Sequence, residues 1–255
     1  MEKMHHIQCS TDDIGNYVLL PGDPGRVPKI AALLSDAKEV AYNREFCTYT
    51  GTLLGEKVSV VSTGIGCPSA AIAMEELIKL GAHTFIRVGT CGCLSTTPVP
   101  GDCIVATGSI RRDGTSRQYL PIEFPAVPDF TVTTALVQAA RATGQPCLTG
   151  IVECKDSYYG QHEPENSPVC EELLYKWKCF KQGGALGSEM ETAAIFSIAA
   201  VRNVRAGAIL HVFRNREYEN AHHTDPLTAP DTSPTIHTAV EALKALITAD
   251  REVTL

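Results

Sequence analysis

Arg87 stands inside the apolar run Thr84-Phe85-Ile86-Arg87-Val88. A guanidinium buried without a partner is costly. That position therefore asks for an anion, either a bound one or a protein carboxylate. A second arginine, Arg26, closes Pro21-Gly22-Asp23-Pro24-Gly25-Arg26. That turn lies between the apolar Tyr17–Leu20 and a helical pattern over Val27–Leu34. Backbone N–H groups are left free near such a helix start, which suits an anion; the same composition also makes a plain connection with surface charge. Lys155, Tyr158, Tyr159, Gln161 and His162 fall within one short segment. Its rings can stack on a flat heterocycle, and its amide and imidazole can bond the heterocycle's edge. An exposed polar loop has the same look. Glu189 and Glu191 head a strongly apolar stretch. Acids suit a helix N-terminus, and a carboxylate in a cleft can accept hydrogen bonds from sugar hydroxyls.

Strands and helices must alternate to hold these residues. Strand patterns cover Tyr17–Leu20, Cys47–Leu54, Lys57–Ser62, Thr84–Val88, Gly101–Ala106, Leu148–Glu153 and Ala206–Phe213. Helical patterns cover Val27–Leu34, Ala70–Leu80, Thr131–Thr143, Cys170–Gln182, Gly187 to about Val201, and Pro234–Ala249. Two glycine-rich stretches, Thr63–Ser69 and Gly89–Cys93, read as sharp turns with close backbone approach. Gly108–Gln118 reads as a polar connection and Glu219–Pro234 as a mobile loop. Alternation of this kind predicts an α/β fold with a largely parallel sheet. Only Gly55-Glu56 separates two of the strand patterns, so one hairpin must be antiparallel. Open α/β sheets bind ligands at the carboxyl ends of their strands, where Arg26 and Arg87 belong.

A chain of 255 residues, 44% hydrophobic and 20% charged, predicts one globular domain over residues 1–255. The net charge of −7 argues against nucleic acid as a partner. No apolar run reaches membrane-spanning length, and the start MEKMHHIQCS lacks the apolar core of a signal peptide. Ten cysteines with no C-x-x-C spacing predict reduced thiols filling the core of a cytoplasmic protein.

Six motifs occur in order: PGDPGR at Pro21–Arg26, REF at Arg44–Phe46, STGIGCPS at Ser62–Ser69, FIRVGTCG at Phe85–Gly92, YGQHEP at Tyr159–Pro164 and SEMETAA at Ser188–Ala194. Together they resemble the nucleoside phosphorylase family, most closely its members acting on uridine. The resemblance implies a single-domain, three-layer α/β/α fold with a mixed, mostly parallel central sheet. It implies reversible phosphorolysis: a nucleoside and phosphate give a free base and α-ribose 1-phosphate. Gly22, Arg26, Arg87 and Thr90 would form the phosphate site, with Arg44 added from a neighbouring subunit. Thr90, Met190 and Glu191 would hold the ribose, with His6, or its neighbour His5, reaching the 5′-hydroxyl across a subunit boundary. Gln161, His162, Lys155, Tyr158 and Arg216 would face the base. Glu45, Ile65 and Ser69 match positions that hold a monovalent cation, potassium, in some relatives. No other cofactor is implied. The partners implied are uridine, phosphate and copies of the chain itself, in a hexamer built as a trimer of dimers.

The residue types suit that chemistry. Guanidiniums bind a phosphate nucleophile through always-charged, bidentate contacts. As the glycosidic bond breaks, the ribose gains positive charge and the base negative charge. A dianion beneath the sugar and donors at the base edge both bind more tightly as that happens. Two departures from the family pattern stand out. Relatives with Gln-Glu-Arg have Gln161-His162-Glu163 here, so the arginine that donates to a uracil carbonyl is missing. His162, Lys155 or an arginine of Arg214–Arg216 must replace it; a free histidine, with pKa of about 6.5, would carry part-time charge near neutrality. Cys67 and Cys93 stand where small residues are usual and read as packing changes. A purine nucleoside phosphorylase is disfavoured because Phe213-Arg214-Asn215-Arg216 lacks an aspartate. A nucleosidase has no use for Arg26, Arg44 and Arg87 together. A non-catalytic nucleoside-binding protein is the remaining alternative.

Overall fold

Alternate residues of the strand β1 (Tyr17–Pro21) face two different cores: Val18 and Leu20 pack into one, Tyr17 and Leu19 into the other. A strand buried on both faces is the mark of a sheet covered on both sides. The computed structural model describes residues 2–254. After β1 come α1 (Val27–Ala31), the meander β2 (Ser35–Asn43), β3 (Phe46–Leu53) and β4 (Glu56–Val61), then α2 (Cys67–Lys79). The central strand β5 (Thr84–Cys93) leads to β6 (Cys103–Arg112), α3 (Phe130–Thr143) and β7 (Cys147–Lys155). The short α4 (Tyr158–His162) and the longer α5 (Cys170–Gln182) precede β8 (Gly187–Glu189) and α6 (Thr192–Arg202). Finally come β9 (Arg205–Val212), α7 (Arg216–His222) and α8 (Ser233–Thr254). No described helix is long and apolar enough to cross a membrane.

The sheet order is β2-β3-β4-β1-β5-β8-β7-β6-β9, and β9 also pairs with β5. The last five strands therefore close on themselves. Pairs β1–β4, β1–β5, β5–β9, β6–β7 and β7–β8 are parallel, and β2–β3, β3–β4, β5–β8 and β6–β9 are antiparallel. Helices α2 and α6 cover one face; α1, α3 and α8 cover the other. This is the expected three-layer α/β arrangement with a mixed sheet. The hairpin turn between β3 and β4 is Leu54-Gly55, with φ of 51° and 82°. Two positive φ values match the right-handed twist of a tight hairpin. All ten cysteines are unpaired, and Cys67, Cys91 and Cys154 fill one core while Cys47 and Cys103 fill the other.

Several boundaries differ from the sequence expectation. Gly89–Cys93 is not a turn: β5 runs straight through it, pairing Gly89 with Leu210 and Gly92 with Ser188. The glycine is needed for room, since a Cβ at position 89 would sit 2.6 Å from Leu210 Cδ2 and 2.8 Å from Arg87 Cζ. β6 continues to Arg112 instead of ending at Ala106, helped by a register shift between Ala106 and Gly108. Gly187–Glu189 is a strand, and the helix waits until Thr192. The Glu189 carboxylate accepts from the backbone N–H of both Glu191 and Thr192, which sets that start. The edge strand β2, exposed or half-buried along its length, carries no apolar alternation that would announce it. α1 stops at Ala31, short of Leu34, and α7 occupies part of the expected mobile loop.

Candidate active site

Strands β1, β5, β7, β8 and β9 all end at one cleft of about 1190 Å³. β5 and β8 run in opposite senses and overlap only where β5 ends and β8 begins, Gly92 against Ser188 and Cys93 against Gly187. That overlap brings the two halves of the sheet to a common mouth.

At one end of the cleft stand two guanidiniums. Arg87 is 3% exposed, its Nε donates to Glu189 Oε2 at 2.9 Å, and its Nη2 forms an ion pair with Glu191. Burial works against its charge, but Glu191 and Glu189 outweigh it and leave the pKa raised. The buried arginine thus finds protein carboxylates, one of the two partners open from the sequence. One donor group is left over: Nη1 is buried and has no hydrogen-bond partner among the described residues. Arg26 is largely buried, donates from Nη1 to Val88 O at 3.1 Å, and lines the same cleft. Burial lowers its pKa and the nearby Arg87 lowers it further. A buried donor without an acceptor beside a second guanidinium leaves hydrogen-bonding capacity of the kind an oxyanion fits. Gly22 approaches here as well; a Cβ on it would lie 3.6 Å from Arg26 Nη2 and 3.2 Å from Gly64 O. Thr90 lines the cleft beside them.

Glu191 and Met190 follow β8 and line the cleft. Glu191 Oε1 accepts from Gly66 N at 2.5 Å. Gly66, at φ 94°, belongs to the glycine turn that opens α2, so that turn serves the carboxylate. Burial raises the Glu191 pKa, Arg87 opposes the rise, and Glu189 adds to it. Glu45 and Ile65 also line the cleft, and Ser69 Oγ lies 2.7 Å from Glu45 Oε1. That hydrogen bond holds the Glu45 carboxyl below its usual range.

The other end of the cleft collects Lys155, Tyr158, Gln161, His162 and Arg216. Lys155 is 6% exposed and its Nζ lies 2.6 Å from Ser188 Oγ. Burial lowers its pKa, against the pull of Glu153 and Glu189. Tyr158 and His162 put their ring centroids 4.3 Å apart. Burial, with Arg216, Lys155 and Arg214 adding repulsion, pushes the His162 pKa down to about 4. The expectation of a part-charged His162 near neutrality is therefore corrected: the imidazole is neutral there. Arg214 is tied up by Glu219, with Nη2 2.7 Å from Oε2. Arg216 Nη1 reaches the His162 backbone carbonyl at 3.4 Å.

Ser69, His6 and Arg44 are not among the residues that line this cleft. His6 turns its Nδ1 to Oε1 of the α2 residue Glu76 at 2.7 Å. Arg44, at φ 53° in the turn between β2 and β3, is exposed and does not line the cleft. Three residues of the site went unassigned from the sequence. Glu189 was visible as an acid beside Glu191 but given no task. Glu153, fully buried and ion-paired with Arg112, breaks an apolar strand just as Arg87 does and obeys the same rule. Ser188 carries no such signal.

A family model described as the Phosphorylase superfamily matches residues 16–249. A uridine phosphorylase of Treponema pallidum is 52% identical over 246 residues, covering 96% of this chain and 95% of that protein. A uridine phosphorylase of Thermococcus kodakarensis is 44% identical, covering 83% of this chain and 77% of that protein. A guanosine phosphorylase of Halorubrum lacusprofundi is 40% identical, covering 84% of this chain and 85% of that protein. With a superfamily match spanning the whole strand framework around the cleft, and relatives this similar over most of their length, the chain belongs to the phosphorylase superfamily.

Proposed function

We propose that the protein is a uridine phosphorylase, cleaving uridine reversibly with inorganic phosphate to uracil and α-D-ribose 1-phosphate. The observation that carries this is the orphan Nη1 of Arg87 beside Arg26, in the same cleft as Glu191 and the Lys155–Gln161 wall. The names of the Treponema and Thermococcus relatives support the choice of uridine. A phosphate oxygen held by Arg26, Arg87 and Thr90 attacks C1′ as the C1′–N1 bond breaks, and both bonding electrons leave with the base. Glu191, with Met190 beside it, accepts from the ribose hydroxyls and aligns the sugar for attack. Donors at the far end receive the negative charge of the departing uracil.

In this reading the protein is a hexamer, a trimer of dimers, in which His6 and Arg44 complete a neighbour's site. Both residues lie outside this chain's own cleft, as that requires. Glu45, Ile65 and Ser69 hold a potassium ion, and the chemistry needs no organic cofactor. The ten unpaired thiols fit the reducing cytoplasm. The test is base release from uridine, thymidine, cytidine, inosine and guanosine, each with and without phosphate. Phosphate-dependent release from uridine is the expected result. Equal release without phosphate points to a hydrolase, and preference for guanosine moves the protein toward its Halorubrum relative.

A further inference from the structure

Ser188 Oγ has one proton and three polar neighbours: Lys155 Nζ at 2.6 Å, Glu153 Oε2 at 2.8 Å and the Gln161 amide at 3.0 Å. Lys155 can only donate. Glu153, whose other oxygen is ion-paired with Arg112, can only accept. The hydroxyl proton goes to Glu153, because a charged acceptor makes the stronger bond. Both lone pairs of Ser188 then accept, one from Lys155 and one from Gln161. With Gln161 Oε1 at Ser188, the single proton would have to serve two acceptors. A half-turn of the amide brings its NH2 to Ser188, satisfies every group, and leaves its carbonyl toward the cleft. Lys155, buried at the cleft wall, has no hydrogen bond from Nζ among the described residues except to Ser188. Two of its three N–H groups remain for a ligand.

We propose that Ser188 and Glu153 are positioning residues that lock Gln161 as an acceptor and Lys155 as a donor, so that the site selects a base with an N–H flanked by carbonyls and rejects an amino-substituted one. This deepens the phosphorolysis reading and rests on it. The ring N–H of uracil donates to the Gln161 carbonyl. The free N–H groups of Gln161 and Lys155 donate to the two flanking carbonyls. When the glycosidic electrons move into the base, charge spreads onto those carbonyls and the Lys155 bond strengthens. Cytosine sets a ring lone pair against the Gln161 carbonyl and an amino group against Lys155. Acceptor then meets acceptor and donor meets donor, which costs both partners their hydrogen bonds.

The experiment compares uridine with cytidine, at saturating phosphate, on the unaltered protein, Ser188→Ala and Lys155→Met. Calorimetric binding of uracil against cytosine gives the same ratio where cytidine turnover falls below detection. The unaltered protein should favour uridine by about a thousandfold or more, as sites built around buried polar groups do. Ser188→Ala frees the amide to turn, so the uridine-to-cytidine ratio should narrow by about tenfold or more while the KM for phosphate stays unchanged. Lys155→Met should lower kcat on uridine by about a hundredfold, the usual effect of removing a charge-stabilising donor. An equal loss on both nucleosides in Ser188→Ala, or an unchanged ratio, overturns the proposal while leaving uridine phosphorolysis standing. Failure of the unaltered protein to cleave uridine overturns both.

Discussion

Arg87 Nε lies 2.9 Å from Glu189 Oε2, and both side chains are almost wholly excluded from solvent. The same carboxylate accepts from the backbone N–H of Glu191 and Thr192. Glu189 therefore couples two things: the aim of the Arg87 guanidinium and the start of α6, where Glu191 sits. Breaking one partner of a buried ion pair leaves an uncompensated charge. Glu189→Gln should cost about 3–5 kcal/mol of stability by that measure. It should also raise the KM for phosphate more than the KM for nucleoside. Thermal unfolding and initial-rate kinetics on the same variant check both.

Gly89 is the neighbour that lets Arg87 lie flat. A Cβ there would come within 2.6 Å of Leu210 Cδ2 and 2.8 Å of the Arg87 guanidinium. Gly89→Ala should therefore destabilise by about 1–3 kcal/mol, as overpacking does. It should weaken phosphate binding as well, because the guanidinium must move. A purely structural cost would leave the phosphate KM alone, so urea unfolding together with phosphate titration separates the two.

These two sites show what the sequence made legible. Arg87 in an apolar strand, Arg26 after a strand and the acids of Gly187–Thr192 were readable because burying charge obeys a simple rule. Gly89 and Gly92 were misread as a turn. A glycine in a strand and a glycine in a turn have the same local chemistry, and only Leu210, far along the chain, distinguishes them. The closure of β5 through β8, β7, β6 and β9 is equally non-local. β2 escaped notice because an edge strand wetted on its outer side needs no apolar alternation. Glu153 and Ser188 acquire meaning only when β7 and β8 pair.

The depressed His162 pKa gives a stability-versus-pH expectation. Unfolded histidine takes up a proton at about pH 6.5, whereas the native group resists until about pH 4. Between those values the unfolded state binds more protons. Stability should therefore fall as pH drops through that window and stay level, as far as His162 is concerned, above it. His162→Gln should flatten part of this acid slope in thermal melts from pH 4 to 7. An identical slope in both proteins would show that His162 titrates normally.

The neutral state of His162 also bears on rates. With its charge absent above pH 6, His162→Gln should leave the shape of the kcat profile between pH 6 and 9 unchanged. A limb near pH 6.5 that vanishes in the variant would mean that the substrate complex restores a charged imidazole.

Sharing of the site between subunits has its own test. If the proposed sharing holds, Arg44→Ala and Arg87→Ala proteins should each lose most phosphorolysis, since each would then remove one charged phosphate contact. Mixed and allowed to exchange subunits, they should recover part of it, because some sites then carry both arginines. No recovery, with exchange demonstrated by labelled subunits, would place Arg44 outside the site.

The most direct measurement follows the fate of phosphate and ribose. Purified protein is incubated with uridine and inorganic phosphate, and the products are followed by phosphorus and proton NMR. The expected result is uracil and α-ribose 1-phosphate in equal amounts, none of either without phosphate, and loss of both in Arg87→Met. Free ribose as the sugar product, or uracil release at the same rate without phosphate, would contradict the assignment of Arg26 and Arg87 to a phosphate nucleophile.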